Sequence, residues 1–325
     1  MTSVTIKPKS GTLPDVGTNF FWTARKRSED ISRLADLRAE HGFKRAPANL
    51  LTTAEGNAKL AKGSGRYLVG LNLQPASVSG WNVCANSTKE CRHFCLATCG
   101  RNGFDNAFRA RQYKTELLYR YPKTFLRLLA SELNALRRLH GPLALRMNLL
   151  SDLPFHKGTW SKVIWEAIGN TFGANPNDSV RYEYTKNMSY FDHSVFHRVN
   201  FTYSARGPRL DPLDGERIHS VLSRGHSVAL VSRFRPSVSG WVDGDLDDRR
   251  YLDGSGRLVF LEPKGQLAKS NSPFLYRAGD VDSDAVAALL KDSELLNRSL
   301  SDSKQKIDFH PSNSPLKNGE KGVKS

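Results

Sequence analysis

A chain of 325 residues is long enough for one large α/β domain or two modest ones, and 39% hydrophobic with 25% charged residues is ordinary for a soluble protein. There is no uninterrupted apolar run of membrane-spanning length, and the opening M-T-S-V-T-I-K-P-K-S-G has no apolar signal core. On that reading neither a spanning helix nor a secretory leader is expected, and the cytoplasm is the expected compartment. The formal net charge of +16, from 48 Lys and Arg against 32 Asp and Glu, is spread along the chain and not confined to its tails. Nucleic acid or another polyanion is a fitting partner on that balance, and a merely basic soluble protein is the alternative.

Residues 1–62 read as an N-terminal arm with one short helix. Arg25, Lys26 and Arg27 precede that helix. Ser28 is its expected cap, Glu29 and Asp30 suit its first turn, Gly42 ends it, and Ile31, Leu34 and Leu37 share a face. Regular patterning begins after Arg66. Y-L-V-G-L-N-L (67–73) reads as a buried strand, and a loop then leads to a segment rich in cysteine. Helices are expected over about 105–121 and, with Pro122 in its first turn, on to about His140. Leu126, Leu129, Leu133 and Leu136 form a core stripe on the second. Strands A-L-R-M-N-L-L, V-R-Y-E-Y-T, V-N-F-T-Y-S, S-V-A-L-V-S and R-L-V-F-L-E follow, with helices near 159–172 and 214–224 between them. A last helix is expected over 283–297, and residues 299–325 have the composition of a disordered tail. The domain proper is therefore 63–298. Strands alternating with helices predict a parallel α/β sheet, as a partial or closed β/α barrel, with its site at the C-terminal strand ends. Asn148, Ser151, Asp152, Lys186, Ser204 and Lys264 all follow strands and fall on that face. Each could equally be a loop residue with local hydrogen bonds.

The densest chemical signal is the cysteine segment after the first strand. Cys84, Cys91, Cys95 and Cys99 are the only four cysteines in the chain and lie within sixteen residues. Cysteines that merely fill core gaps would be scattered. Clustered thiols in a reducing compartment favour a shared metal or iron–sulfur cluster over disulfides. Four thiolates would also suit tetrahedral zinc, although zinc sites use shorter Cys-x2–4-Cys pairs than the interval from Cys84 to Cys91.

Several blocks in order resemble a phage-encoded family, the gene product 88-like proteins. They are G-L-N-L-Q-P-A-S-V-S-G-W-N-V-C, C-R-H-F-C-L-A-T-C-G-R, A-R-Q-Y-K-T-E-L-L, R-M-N-L-L-S-D-L-P-F, Y-E-Y-T-K-N, F-T-Y-S, V-D-G-D-L-D-D-R-R-Y-L-D and L-E-P-K-G, spanning about 67–277. The resemblance implies a barrel like that of radical-SAM enzymes, with a cysteine trio after the first strand. It carries onto Cys84, Cys91 and Cys95, and Cys99 stands outside it. The implied cofactors are a [4Fe-4S] cluster and S-adenosylmethionine, with zinc as the alternative. The spacing departs from the usual Cys-x3-Cys-x2-Cys, the gaps here being six, three and three residues. Three thiolates leave one iron open to S-adenosylmethionine, whereas four close the cluster, so Cys99 separates two chemistries. A cluster- or zinc-stabilised nucleic-acid binder without catalysis is the competing function.

Other features have plainer readings. His93 and His156 are candidate extra ligands, though a lone histidine is usually satisfied otherwise. Asp243, Asp245, Asp247 and Asp248 are dense enough for calcium, but position 254 is Gly where a late Glu is needed. A turn at Asp243-Gly244, with carboxylates paired to Arg249 and Arg250, is preferred. Arg101, Arg109, Arg111 and Lys114, interleaved with Phe108 and Tyr113, form either a nucleic-acid face or a half-buried helix with solvated charges. S-V-S-G-W recurs at 77–81 and 237–241 as two similar loops, each Trp packing under the expected barrel mouth. No P-loop, dinucleotide-binding, zincin or nucleophile-elbow motif occurs.

Overall fold

A computed structural model describes residues 11–23, 25, 27–43, 49–53, 55, 65–169, 178–192, 198–235, 241–277 and 280. The helix expected over 283–297, the tail 299–325 and most of the second S-V-S-G-W copy lie outside the described residues. An eight-stranded sheet organises the rest, in the order β1-β2-β3-β4-β5-β6-β8-β7. The strands are β1 (Leu51–Thr53), β2 (Tyr67–Leu71), β3 (Leu143–Arg146), β4 (Val180–Thr185), β5 (Asn200–Ser204), β6 (Ser227–Val231), β7 (Trp241–Asp243) and β8 (Leu258–Leu261). Pairing is parallel from β2 across to β7, and β1 alone is antiparallel, with Leu51 opposite Leu71. From β2 to β6 each strand is laid beside its predecessor, as in a barrel. The sheet nevertheless ends in two edges, β1 and β7, and does not close. The closed-barrel alternative is corrected accordingly. Both edge strands are three residues long and were not anticipated. Period-two alternation cannot be read in so few residues.

Seven helices accompany the sheet among the described residues: α1 (Ser28–Glu40), α2 (Ala76–Ser79), α3 (Lys89–His93), α4 (Asp105–Arg120), α5 (Pro122–His140), α6 (Gly158–Ile168) and α7 (Asp214–Ser223). The crossover from β2 to β3 is the longest and carries α2 to α5. Its Leu stripe behaves as expected: Leu126, Leu129 and Leu133 are fully buried. They join Val69, Leu71, Leu145 and Ile164 in one cluster between sheet and helices. A second cluster packs Phe201, Tyr203, Val228 and Leu230 against Ile218, Val221 and Leu222 of α7. Gly225 takes a positive φ of 74° just past that helix, as a stop residue should.

The described part of the N-terminal segment is not detached. Val16, Leu37, Leu50 and Leu51 belong to the first core cluster, and the Trp160 indole donates to the Pro14 carbonyl at 3.0 Å. In α1 the expected apolar face is only partly used. Leu37 is buried, but Ile31 is 59% exposed, and Asp30 turns inward instead. The helix is preceded by Arg27, not capped by Ser28, and Asp30 accepts the Arg27 amide at 3.1 Å. Burial alone would raise the Asp30 pKa. Hydrogen bonds from Arg127, Thr124 and the Arg27 amide outweigh it and hold the carboxyl below its usual value. Among the described residues no helix is long and apolar enough to cross a membrane.

Candidate functional site

The inner face of the curved sheet differs from the helix-covered face. Along β3 and β4, Leu145 packs outward into the core, while Arg146 and Tyr184 line a cavity above the sheet. The Arg146 guanidinium lies over the Tyr184 ring at 4.4 Å and pairs with both oxygens of buried Asp248, at 3.1 and 3.2 Å. Tyr182 donates its hydroxyl to the same carboxylate at 3.1 Å. A buried Arg–Asp pair of this kind needs several hydrogen bonds to offset its desolvation.

Above this floor the strand-end loops are tied to one another. Glu183 is buried and accepts the amides of Met147 and Asn148 at 2.8 and 2.9 Å, which fixes the bend leaving β3. Burial pushes its carboxyl up to about 7, against the opposing effect of Arg181 and those two amides. Asn148 accepts from Ser151 Oγ at 2.7 Å and from the Leu153 amide at 2.9 Å. Asp152 accepts the Thr185 hydroxyl at 2.7 Å and the Lys186 amide at 3.0 Å, linking the β3 and β4 ends. Its pKa is raised by burial, with those bonds working the other way. Lys186 carries the chain of contacts onward. Its Nζ donates to Ser204 O, Ser204 Oγ and Ala205 O at 2.9, 3.0 and 2.8 Å. Lys264 pairs with Asp245 at 2.9 Å, and Asp245 also accepts the Glu262 amide at 2.8 Å.

The cysteine segment forms the opposite wall. The Asp152 amide donates to the Val83 carbonyl at 2.8 Å, and the Cys84 thiol points to the Leu150 carbonyl at 3.5 Å. Thr88 caps α3 by accepting the Cys91 amide at 3.1 Å. Arg111 is buried and reaches across from α4 to Gln74 Oε1 at 2.7 Å and the Ala97 carbonyl at 3.1 Å, pinning the segment to the loop after β2. Cys84, Cys91 and Cys95 all line the cavity of about 240 Å³. Asn148, Ser151, Asp152, Lys186, Ser204 and Lys264 line it too. Burial raises the Cys84 thiol pKa well above normal, reinforced by Cys91, Asp152 and Cys95 and opposed by Lys186. Cys95 is raised for the same first reason.

Cys99 does not share this cavity. It lines a neighbouring cleft of about 310 Å³ with His93 and Lys269, and its sulfur lies against Gly265. A Cβ built at Gly265 would sit 2.5 Å from Cys99 Sγ, and the residue has a φ of +58°, so only glycine fits without strain. A model of the gene product 88 family matches residues 49–278. The chain belongs to the gene product 88 family. No curated protein and no solved structure gives a significant match. The family segment contains both cavities and the whole sheet, whereas α1 lies outside it.

The remaining candidates of the family segment are dispersed. His93 is exposed, edge-on to Phe94 at 4.6 Å, and lines only the Cys99 cleft. His156 sits in an aromatic group with Tyr190 and Phe201 at 4.2 and 5.0 Å and lines neither cavity. The four aspartates of the 243–248 loop diverge. Asp243 accepts the Asp245 amide at 2.9 Å and Asp247 pairs with Arg249 at 2.6 Å, as the turn reading requires. Asp248 instead pairs with Arg146, and Arg250 with Asp253 at 3.1 Å, which corrects the expected pairing of Arg250. On α4, Arg109 is exposed and paired with Asp105 at 2.9 Å, while Arg111 and Lys114 are buried. Burial brings the Lys114 ammonium down to about 8, against the attraction of Glu132. Trp81 stacks on Tyr119 at 4.5 Å and Trp241 meets Phe260 edge-on at 5.8 Å, neither of them among the cavity-lining residues. Sequence reasoning missed Arg146, Tyr184, Asp245 and Glu262 as cavity residues. A signal existed for the first two: a charged or hydroxyl-bearing side chain at the inward position of an otherwise buried strand.

Proposed function

We propose that Cys84, Cys91 and Cys95 hold an iron–sulfur cluster with one iron open to S-adenosylmethionine, in a radical-SAM-like enzyme of phage origin. The observation that carries this reading is the split of the thiols: three line one cavity with the strand-end residues, and the fourth packs against Gly265 outside it. Three cysteine donors and an open side of the cavity are the donor chemistry such a cluster takes. Among the described residues no three His, Cys, Asp or Glu side chains stand together as ligands of a single ion. When bound, the reduced cluster supplies an electron for cleaving a carbon–sulfur bond of S-adenosylmethionine. The protein's own groups then bind and orient. Lys186 holds the β4 and β5 ends together, Asp152 and Asn148 fix the loops over the cavity, and Phe94, Leu267 and Phe274 exclude water from it. A reducing, cytoplasmic setting suits thiolate ligands.

The competing reading is a zinc- or cluster-stabilised protein that binds nucleic acid or another polyanion without catalysis, favoured by the +16 charge. Anaerobic purification with iron, sulfide and zinc analysis and a visible absorption spectrum separates the two. Brown protein with near-stoichiometric iron and sulfide, and cleavage of added S-adenosylmethionine under reduction, is the expected result. A colourless protein carrying stoichiometric zinc overturns it.

A further inference from the structure

The cavity and the Cys99 cleft lie on either side of one ring, because Phe94 lines both. Gln266 and Lys269 line the outer cleft and are exposed. Four residues along the chain from Gly100 of the cleft lining, at the start of α4, Phe104 and Phe108 are 61% and 38% exposed. Their spacing of four puts them on one helix face, and the Phe108 amide donates to the Phe104 carbonyl at 2.9 Å. Leu96, 45% exposed, belongs to the cavity lining itself. A single exposed apolar side chain is unremarkable, but three large ones within thirteen residues of the segment that lines both cavities are the composition of an interaction surface.

Charge narrows the partner. Arg109 and Asp105 neutralise each other as a pair, which leaves Lys89, Arg92 and Arg101 exposed on this stretch against Glu90. Lys269 adds a further cation in the cleft. An apolar protein partner would not be matched by this cation excess, and a purely electrostatic partner would make no use of the rings. Flat bases on an anionic backbone use both. In a duplex the bases are already stacked on each other, so exposed rings serve a single strand.

We infer that the Cys99 cleft and the Phe104–Phe108 shoulder bind a single-stranded nucleic acid, which runs past Phe94 toward the cavity. Only the direction of the strand rests on the reading of the cavity as a reaction chamber. Fluorescence anisotropy of the full chain with labelled oligo-dT and oligo-U, at low and then rising salt, tests it. Saturable binding that weakens steeply with salt is expected. The double variant Phe104→Ala/Phe108→Ala removes two exposed rings without touching the core, and affinity falls about tenfold or more with the salt slope unchanged. Lys269→Glu weakens binding and lowers the slope by about one. Iron and sulfide measured on the same preparations stay at wild-type levels, so loss of a cluster and loss of binding are read separately. No saturable binding of either oligonucleotide at low salt, the result if the shoulder docks a protein instead, overturns the inference. So does a ringless variant that binds like the wild type, or equal affinity for a blunt duplex.

Discussion

The cysteine segment and the Asp243–Asp248 loop look alike in sequence, since each crowds four potential ligands into a short stretch. In the fold they are opposites. Asp243, Asp245, Asp247 and Asp248 are each taken by an amide, a lysine or an arginine, so the carboxylates hold the loop together. Three of the thiols instead line a cavity, and the Cys84 thiol donates to one backbone carbonyl at 3.5 Å. What distinguishes a site from a turn is therefore not the density of ligand-type residues but whether their donor atoms are already occupied.

The sharpest way to break that comparison is to remove the thiols one at a time. Replacing Cys84, Cys91 or Cys95 by Ala abolishes iron and sulfide incorporation and the visible absorption, whereas Cys99→Ala retains both. Equal loss in all four variants would mean that Cys99 belongs with the others. On the aspartate side, Asp248→Ala leaves the buried Arg146 unpaired and costs about 3–5 kcal/mol in denaturant unfolding. Asp247→Ala, which breaks a partly exposed pair with Arg249, costs about 1 kcal/mol or less. Similar values for the two would show that burial does not set the difference. An effect between those two is expected where the cysteine segment meets the loop after β8. Gly265→Ala forces a positive φ on a residue with a side chain and drives its Cβ into Cys99, costing about 1–3 kcal/mol. Cys99→Ala in the same chain recovers part of that, and simple additivity in the double-mutant cycle would dismiss the contact.

The last effect is a slope. Glu183 has a folded pKa of about 7, above its unfolded value, so the folded state holds the proton longer as pH rises. Its contribution is fully present below the unfolded pKa and is lost between there and about 7. Glu183→Gln flattens the stability profile across that window, by at most about 1.4 kcal/mol per pH unit. An unchanged slope would place the titration elsewhere.

Much of the frame was legible in sequence because it rests on period. The Leu stripe of α5 and the apolar runs of β4, β5, β6 and β8 repeat often enough to identify their elements and their order. The strand-end residues were found by position alone, and all six reach one cavity. Closure was not legible, because it depends on whether two three-residue edge strands meet. Nor was the Arg146–Asp248 pair, which joins residues 102 apart in the chain. The separation of Cys99 had a single local clue, Gly265 in L-E-P-K-G, which carries meaning only once the two loops are seen side by side.

Arg111 has a consequence beyond pinning two loops. It is a buried cation in the electrostatic neighbourhood of Cys95, as Lys186 is of Cys84. The two come from opposite walls, one from α4 and one from the end of β4. Thiolates gathered between them would be counterbalanced from both sides without any counterion from solvent. If a redox centre occupies the cavity, these two cations would stabilise the negative charge added on its reduction, relative to the same thiolates in a neutral pocket.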